Sequence, residues 1–161
     1  MGKVYIGIDN GVTGTIGIIT DYGCQFEKTP VKTEQDYTKK KKNITRLRFS
    51  DFRAILGDYK SEVVQVIIER PMVNPTRFLA SLTAERCFEA ELVAIEELGY
   101  PIRYIDSKEW QKEMLPHGVE KGELKKASLD IGNRLFPQFR EFKHPDRDSL
   151  LIAEYARRKN F

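Results

Sequence analysis

The sequence predicts an α/β fold, a mixed β-sheet opened by three antiparallel strands, continued by parallel strands and flanked by helices. Three observations carry this. Alternating β-rich runs separated by turn signals fill the N-terminal part, an almost unbroken β-branched run covers Val63 to Ile68, and helical periodicity alternates with a short strand thereafter.

The first run alternates Val4, Ile6 and Ile8 on one face, and Thr15 to Thr20 follows Asn10-Gly11-Val12-Thr13-Gly14 at hairpin spacing. Asp21-Tyr22-Gly23 supplies a second turn, and Cys24 to Val31 completes the antiparallel opening. A basic loop then leads to a helix expected from about Ser50, as N-cap, to about Tyr59. Val63-Val64-Gln65-Val66-Ile67-Ile68 has no polar face, as a strand covered on both sides requires, and it ends at Glu69. From about Ser81 to Leu98 a helix carries Ala84, Phe88, Leu92 and Ile95 at three-to-four spacing, and Gly99 stops it. Ile102 to Ile105 reads as a short strand, after which Asp106 and Glu109 predict a capping box opening a helix through Met114. Two last helices are expected, one from about Gly122 to Leu135 before Phe136-Pro137, the other from about Asp146 to Arg158.

No repeat, low-complexity tract or linker divides the chain, so residues 1–161 are expected to form one domain. Cys24 and Cys87 belong to no CxxC or Cys/His cluster, which argues against a disulfide framework or a zinc site and for buried reduced thiols. The N-terminus has no signal-peptide cleavage pattern and no apolar run approaches membrane-spanning length, so a cytoplasmic location and no membrane partner are expected.

The net charge is only +3, but its distribution is uneven. Between Tyr37 and Arg53 stand Lys39, Lys40, Lys41, Lys42, Arg46, Arg48 and Arg53 against Asp51 alone, a density suited to a polyanion. Lys121, Lys125 and Lys126 form a second basic group. Such runs are often no more than solvated surface, and by themselves they do not establish DNA binding.

The acids are more informative. Asp9 ends an otherwise apolar first strand and Glu69 ends the most hydrophobic strand of the chain. A buried carboxylate must be paired, protonated or bound to a cation, so two acids in such places suggest a site, although an ion pair with Arg70 would also account for Glu69. The third acidic element is His144-Pro145-Asp146-Arg147-Asp148 at a helix start, where acids also complement the helix dipole, so capping competes as an explanation of Asp146. Carboxylates from three elements, with no cysteine and few histidines among them, make a hard oxygen set suited to Mg²⁺ or Mn²⁺.

Ile6-Gly7-Ile8-Asp9-Asn10-Gly11-Val12-Thr13-Gly14 resembles the opening strand of RuvC-type Holliday junction resolvases, Val66-Ile67-Ile68-Glu69-Arg70-Pro71 their second acidic strand, and Asp148-Ser149-Leu150-Leu151-Ile152-Ala153 their C-terminal acidic helix. Trp110-Gln111-Lys112 and Lys125-Lys126-Ala127-Ser128 are similar to segments of short phage-type members. The resemblance implies a ribonuclease H-like fold, a homodimer acting on four-way or otherwise branched DNA, and, for a phage gene, the host cytoplasm. It further implies catalysis with two Mg²⁺ or Mn²⁺ ions per active site, in which Asp9 bridges or holds the metals, Glu69 holds one and Asp148 completes the set. The ions would activate water for in-line attack on a phosphodiester, leaving a 5′-phosphate and a 3′-hydroxyl.

The chain departs from the family at one place. A further acid or histidine usually stands one helical turn before the last acid, and that slot falls here on Pro145, which cannot bind metal. His144 and Asp146 are then the candidates for a fourth ligand. His144 would share the face of Asp148 if the helix began early, whereas Asp146 needs an irregular first turn. Met72, just beyond Glu69, falls where resolvases present an apolar or aromatic side chain to bases, though simple loop packing also explains it. Arg77, Lys108, Lys112, Lys121, Lys125 and Lys126 are candidates for phosphate contacts.

Three rivals remain open. Asp9-Asn10-Gly11-Val12-Thr13-Gly14 also resembles the phosphate-binding hairpin of actin-like kinases, which need a second lobe that this length does not supply. Another ribonuclease H-like nuclease acting on flaps, replication forks or RNA:DNA hybrids would use the same acids, and a non-catalytic junction-binding protein would have lost them, with Pro145 as the only hint.

Overall fold

The computed structural model describes residues 2–161. In chain order its elements are β1 (Val4–Asp9), β2 (Thr15–Thr20), β3 (Gly23–Lys28), β4 (Val31–Gln35), β5 (Asn43–Leu47), α1 (Phe49–Leu56), β6 (Val64–Glu69), α2 (Phe78–Glu97), β7 (Ile102–Ile105), α3 (Ser107–Met114), α4 (Leu124–Leu135) and α5 (Asp148–Lys159). The main sheet has the order β3-β2-β1-β6-β7. β1 runs antiparallel to β2 and β2 to β3, while β1, β6 and β7 are parallel, so the mixed sheet expected from the sequence is the one formed.

The two-residue period of the strands sorts their side chains between two helical layers. Val4, Ile6, Ile8, Ile16, Ile18, Val64, Val66 and Ile68 face a core shared with Phe52 and Leu56 of α1 and Cys87, Ala94 and Ile95 of α2. Tyr5, Ile19 and Ile67 face the other core, closed by Trp110 and Met114 of α3 and by Leu150 to Ala153 of α5. The same alternation turns Asp9 and Glu69, the last residues of β1 and β6, towards the second core.

Where it crosses the middle of β1 and β2, helix α5 lies against glycine. A Cβ on Gly7 would fall 2.2 Å from the Ser149 carbonyl oxygen and 2.6 Å from the Ala153 nitrogen, and one on Gly17 would fall 2.7 Å from the Leu150 nitrogen. Backbone thus packs on backbone at this crossing, and Thr15 Oγ1 donates to Ser149 Oγ at 2.8 Å beside it.

Several boundaries differ from expectation. The basic loop is in fact a two-stranded antiparallel ribbon, β4 with β5, in which Glu34 pairs with Arg46 and Lys32. The third strand of the main sheet ends at Lys28, because Thr29 and Pro30 turn the chain into that ribbon. Helix α1 begins at Phe49 and is not capped by Ser50; Gly57, with φ 74°, ends it before Tyr59. The capping box at Asp106 is not formed, since the Asp106 carboxylate instead accepts from Arg70 at 3.0 Å and Glu109 accepts from the Tyr155 hydroxyl at 3.2 Å. Helix α2 starts earlier than Ser81, at Phe78, and α5 starts later than Asp146, at Asp148.

The glycine crossing gives a direct test. Gly7→Val should destabilise the protein by about 3 kcal/mol or more, the upper end of overpacking costs, and should be seen as a lowered thermal midpoint. A midpoint within a degree or so of the parent would contradict this packing.

Candidate metal centre

Registry brings the first two acids together. Ile8 of β1 pairs with Ile68 of β6 in parallel, so Asp9 and Glu69 end adjacent strands at the same level and on the same face. The start of α5 crosses over this end of the sheet and delivers the third element. Oxygens of Asp9, Asp146 and Asp148 lie within 4.8 Å of one another, a separation that a cation with carboxylate ligands can bridge.

The electrostatics match the geometry. Burial and then the charges of Asp148, Glu69 and Asp146 hold the Asp9 carboxyl well above the usual carboxylate range. Asp148 is pushed up to about 7, first by burial and then by Asp146, although Ser128 donates to it and opposes the shift. Glu69 is also raised, mainly by burial. Acids that resist ionisation because of one another are a cluster that a divalent cation would relieve.

Asp148, Asp146 and Glu69 each accept a hydrogen bond from a neutral donor. Ser128 of α4 donates to Asp148 Oδ1 and accepts the Arg147 N–H at 3.1 Å. Asp146 Oδ1 accepts the Asp148 N–H at 3.1 Å, so Asp146 also serves the helix-start role that competed with metal binding. Trp110 Nε1 donates to Glu69 Oε2 at 2.7 Å, whereas Arg70 pairs with Asp106 and not with Glu69.

Of the two candidates for a fourth ligand, Asp146 is brought to Asp9 and Asp148 and His144 is not. The His144 ring is taken up by backbone, Nε2 lying 3.1 Å from the Thr13 carbonyl and Nδ1 3.2 Å from that of Asp146. Asp146 reaches the cluster because residue 147, at φ −129° and ψ 28°, is not helical. Arg147 fixes this irregular turn. Its buried guanidinium donates to the carbonyls of Phe139, Phe142, His144 and Asp146 and to Asn133 Oδ1.

The basic candidates are dispersed. Lys125 Nζ lies 3.8 Å from Asp146 Oδ2, at the edge of the acid cluster. Lys39, Lys40, Lys41 and Lys42 are exposed where β4 turns into β5, and Arg46 and Arg48 are engaged by Glu34 and Asp51. Arg77, Lys108, Lys112, Lys121 and Lys126 are exposed on or beside α2, α3 and α4. Met72 is 80% exposed in the loop after Glu69. Residues that sequence reasoning missed are Ser128, Arg147 and the hydrogen-bonding role of Trp110. Trp110 and Ser128 do fall within segments that drew the family resemblance, whereas a lone arginine between two aspartates carries no signal of its own.

The mixed sheet of order β3-β2-β1-β6-β7 with helices on both faces is the ribonuclease H-like fold, as its likeness to solved structures shows. Among solved structures the chain is similar to RuvC. The Thermus thermophilus RuvC structure in complex with a Holliday junction substrate superposes with a TM-score of 0.59 at 14% identity, covering 98% of this chain and 96% of that one. A second Thermus thermophilus RuvC structure gives a TM-score of 0.54 at 18% identity, with the same coverage of 98% and 96%. No protein-family model matches the sequence, and no curated protein matches it significantly.

The raised acids predict how stability depends on pH. Asp9, Glu69 and Asp148 bind protons more tightly folded than unfolded, so the metal-free protein gains stability as pH falls through about 7 towards the ordinary carboxylate range and loses it as pH rises. In EDTA the thermal midpoint should be higher near pH 6 than near pH 8, and Asp148→Asn should reduce that difference. Added Mg²⁺ should raise the midpoint more near pH 8, where the ligands are ionised. A parent midpoint in EDTA that climbs over this interval would refute the assignment of these acids.

Proposed function

We propose that this chain is a metal-dependent endonuclease that resolves branched DNA, Holliday junctions foremost, by paired symmetric phosphodiester cleavage. One observation carries the reading, the convergence of Asp9, Asp146 and Asp148 within 4.8 Å beside Glu69 at the end of the central strands. Its likeness in fold to a RuvC structure in complex with a Holliday junction substrate supports the choice of DNA.

The donor set fits Mg²⁺ or Mn²⁺, because the three groups within 4.8 Å of one another are all carboxylates, the ligands hard divalent ions prefer. Asp9, Glu69, Asp146 and Asp148 would hold the ions, two in each active site. When bound, such ions lower the pKa of water and neutralise charge on the phosphodiester and its leaving oxygen. The rest of the work falls to the chain's own residues. Asp9 and Glu69 sit on rigid strand ends, and Asp146 and Asp148 are locked by backbone and by Ser128, so the acids are positioned before substrate arrives.

Lys125, beside Asp146, offers a cation to the phosphate that enters the centre, and the lysines of the β4–β5 turn offer sequence-independent contacts to a DNA arm. Met72, exposed in the loop after Glu69, would meet bases at the crossover. Two identical cuts across a four-way junction require two centres, and exposed Phe78, Leu79 and Val93 on α2 offer apolar surface for a second copy. In this reading residues 1–161 act as one nuclease domain in the cytoplasm, that of the host if the gene is a phage's; no described helix is long and apolar enough to cross a membrane.

Incubation with a synthetic four-way junction and a matched linear duplex, in Mg²⁺ or EDTA, tests this. Paired nicks confined to the junction are expected in Mg²⁺ only, and Glu69→Gln or Asp148→Asn should reduce them by about 100-fold or more, the scale of losing one preorganised contact to developing charge. Equal cutting of flaps or duplex would assign a broader nuclease, and tight junction binding without cutting in any metal would assign a structural junction-binding protein.

A further inference from the structure

The indole of Trp110 is completely buried on α3, packed in the core with Ile67 of β6 and Ile105 of β7. Its Nε1–H nevertheless points at an acid, donating to Glu69 Oε2 at 2.7 Å. A buried tryptophan needs a partner for its N–H, and a backbone carbonyl would normally serve. Here the partner is a carboxylate that ends the central strand. Glu69 has a cation next to it in sequence, yet Arg70 turns away to Asp106 at 3.0 Å.

We propose that Trp110 is a positioning residue for the metal centre, fixing the rotation of the Glu69 carboxylate from outside the ligand set. The proposal rests on the metal-dependent reading above and deepens it. An indole N–H suits the task for three physical reasons. It is donor-only and never ionises, so it leaves the negative charge of Glu69 available to a cation, where an arginine or lysine would cancel it. It engages one carboxylate oxygen and leaves the other. Its ring is clamped by the core, so Glu69 inherits the rigidity of α3, and partners of this kind govern how tightly ligands hold a metal.

The chain has one tryptophan, which makes the test direct. In a ¹H–¹⁵N spectrum of the uniformly labelled full-length protein, the single indole N–H resonance should move saturably as Mg²⁺ is added, and Asp9→Asn should abolish the movement. Trp110→Phe keeps an aromatic ring but removes the donor. It should retain a cooperative thermal transition while Mn²⁺ affinity, followed by electron paramagnetic resonance, falls by about tenfold or more.

An unchanged Mn²⁺ affinity in folded Trp110→Phe would overturn the proposal, as would an indole resonance that stays still while the parent protein binds metal. If the phenylalanine variant does not fold, the indole resonance of the parent decides alone. Failure of the parent to take up Mn²⁺ at all would overturn the metal-dependent reading itself and this proposal with it, an outcome distinct from metal binding that ignores Trp110.

Discussion

The close approach of α5 to the glycines of β1 and β2 is the constraint on which the rest depends. Gly7 and Gly17 leave room for the Ser149–Ala153 backbone, which no side chain at those positions would permit. Because Gly7 is two residues before Asp9 on the same face of β1, the contact that seats the helix also sets the distance between the acid on the strand and the acids at the helix start. Core packing and candidate chemistry therefore share one contact. The core behind it is built from Leu150 to Ala153, all fully buried, so α5 has little freedom to slide.

Seating several acids at one point stores electrostatic cost in the metal-free fold. Burial raises Asp9 and Asp148, and the like charges of neighbouring acids add to both. Among the described residues no buried lysine or arginine forms an ion pair with these carboxylates; buried Arg147 feels the charge of Asp146 but directs its hydrogen bonds to backbone carbonyls and Asn133. Ser128 and Trp110 are neutral donors, and Lys125, the cation near Asp146, is largely exposed at 73% of its side chain. Hydrogen bonds to neutral partners orient the carboxylates while preserving the charge that attracts a divalent ion. Glu91, which is buried on α2 beside Cys87, shows the contrast: burial alone raises it, and among the described residues no second acid joins it.

Much of this was legible because strand periodicity is a simple code. The alternation of Val4, Ile6 and Ile8, and the bare apolar run before Glu69, disclosed both the sheet and the two acids that end its central strands. The ribbon at Val31–Leu47 was hidden because its residues are mostly polar and half-exposed, and a segment paired only with itself shows neither an apolar face nor a core run. The capping box failed for another reason. Asp106 and Glu109 have the right spacing, but each found a better partner in tertiary structure, Arg70 and Tyr155 respectively. Ser128 and Trp110 lie far in sequence from the acids they hold, and no local pattern announces a contact across the fold.

The turn before α5 brings a second aspartate beside Asp9 and Asp148 through an irregular backbone. Pro145 occupies the place from which a ligand one helical turn before Asp148 would project, and on a regular helix Asp146 would point elsewhere. The chain instead delays the helix. Arg147 leaves helical geometry, and its guanidinium gathers carbonyls of residues 139, 142, 144 and 146, groups that a helix begun at Pro145 would have engaged differently. Its stem lies against Gly132 of α4, where a Cβ would fall 2.2 Å from the Arg147 Cβ, so the arginine is fixed from both ends. With the turn held open, the Asp146 carboxylate swings towards Asp9 and accepts the Asp148 N–H on the way. Pro145 and Arg147 thus frame the turn that brings the Asp146 carboxylate beside those of Asp9 and Asp148.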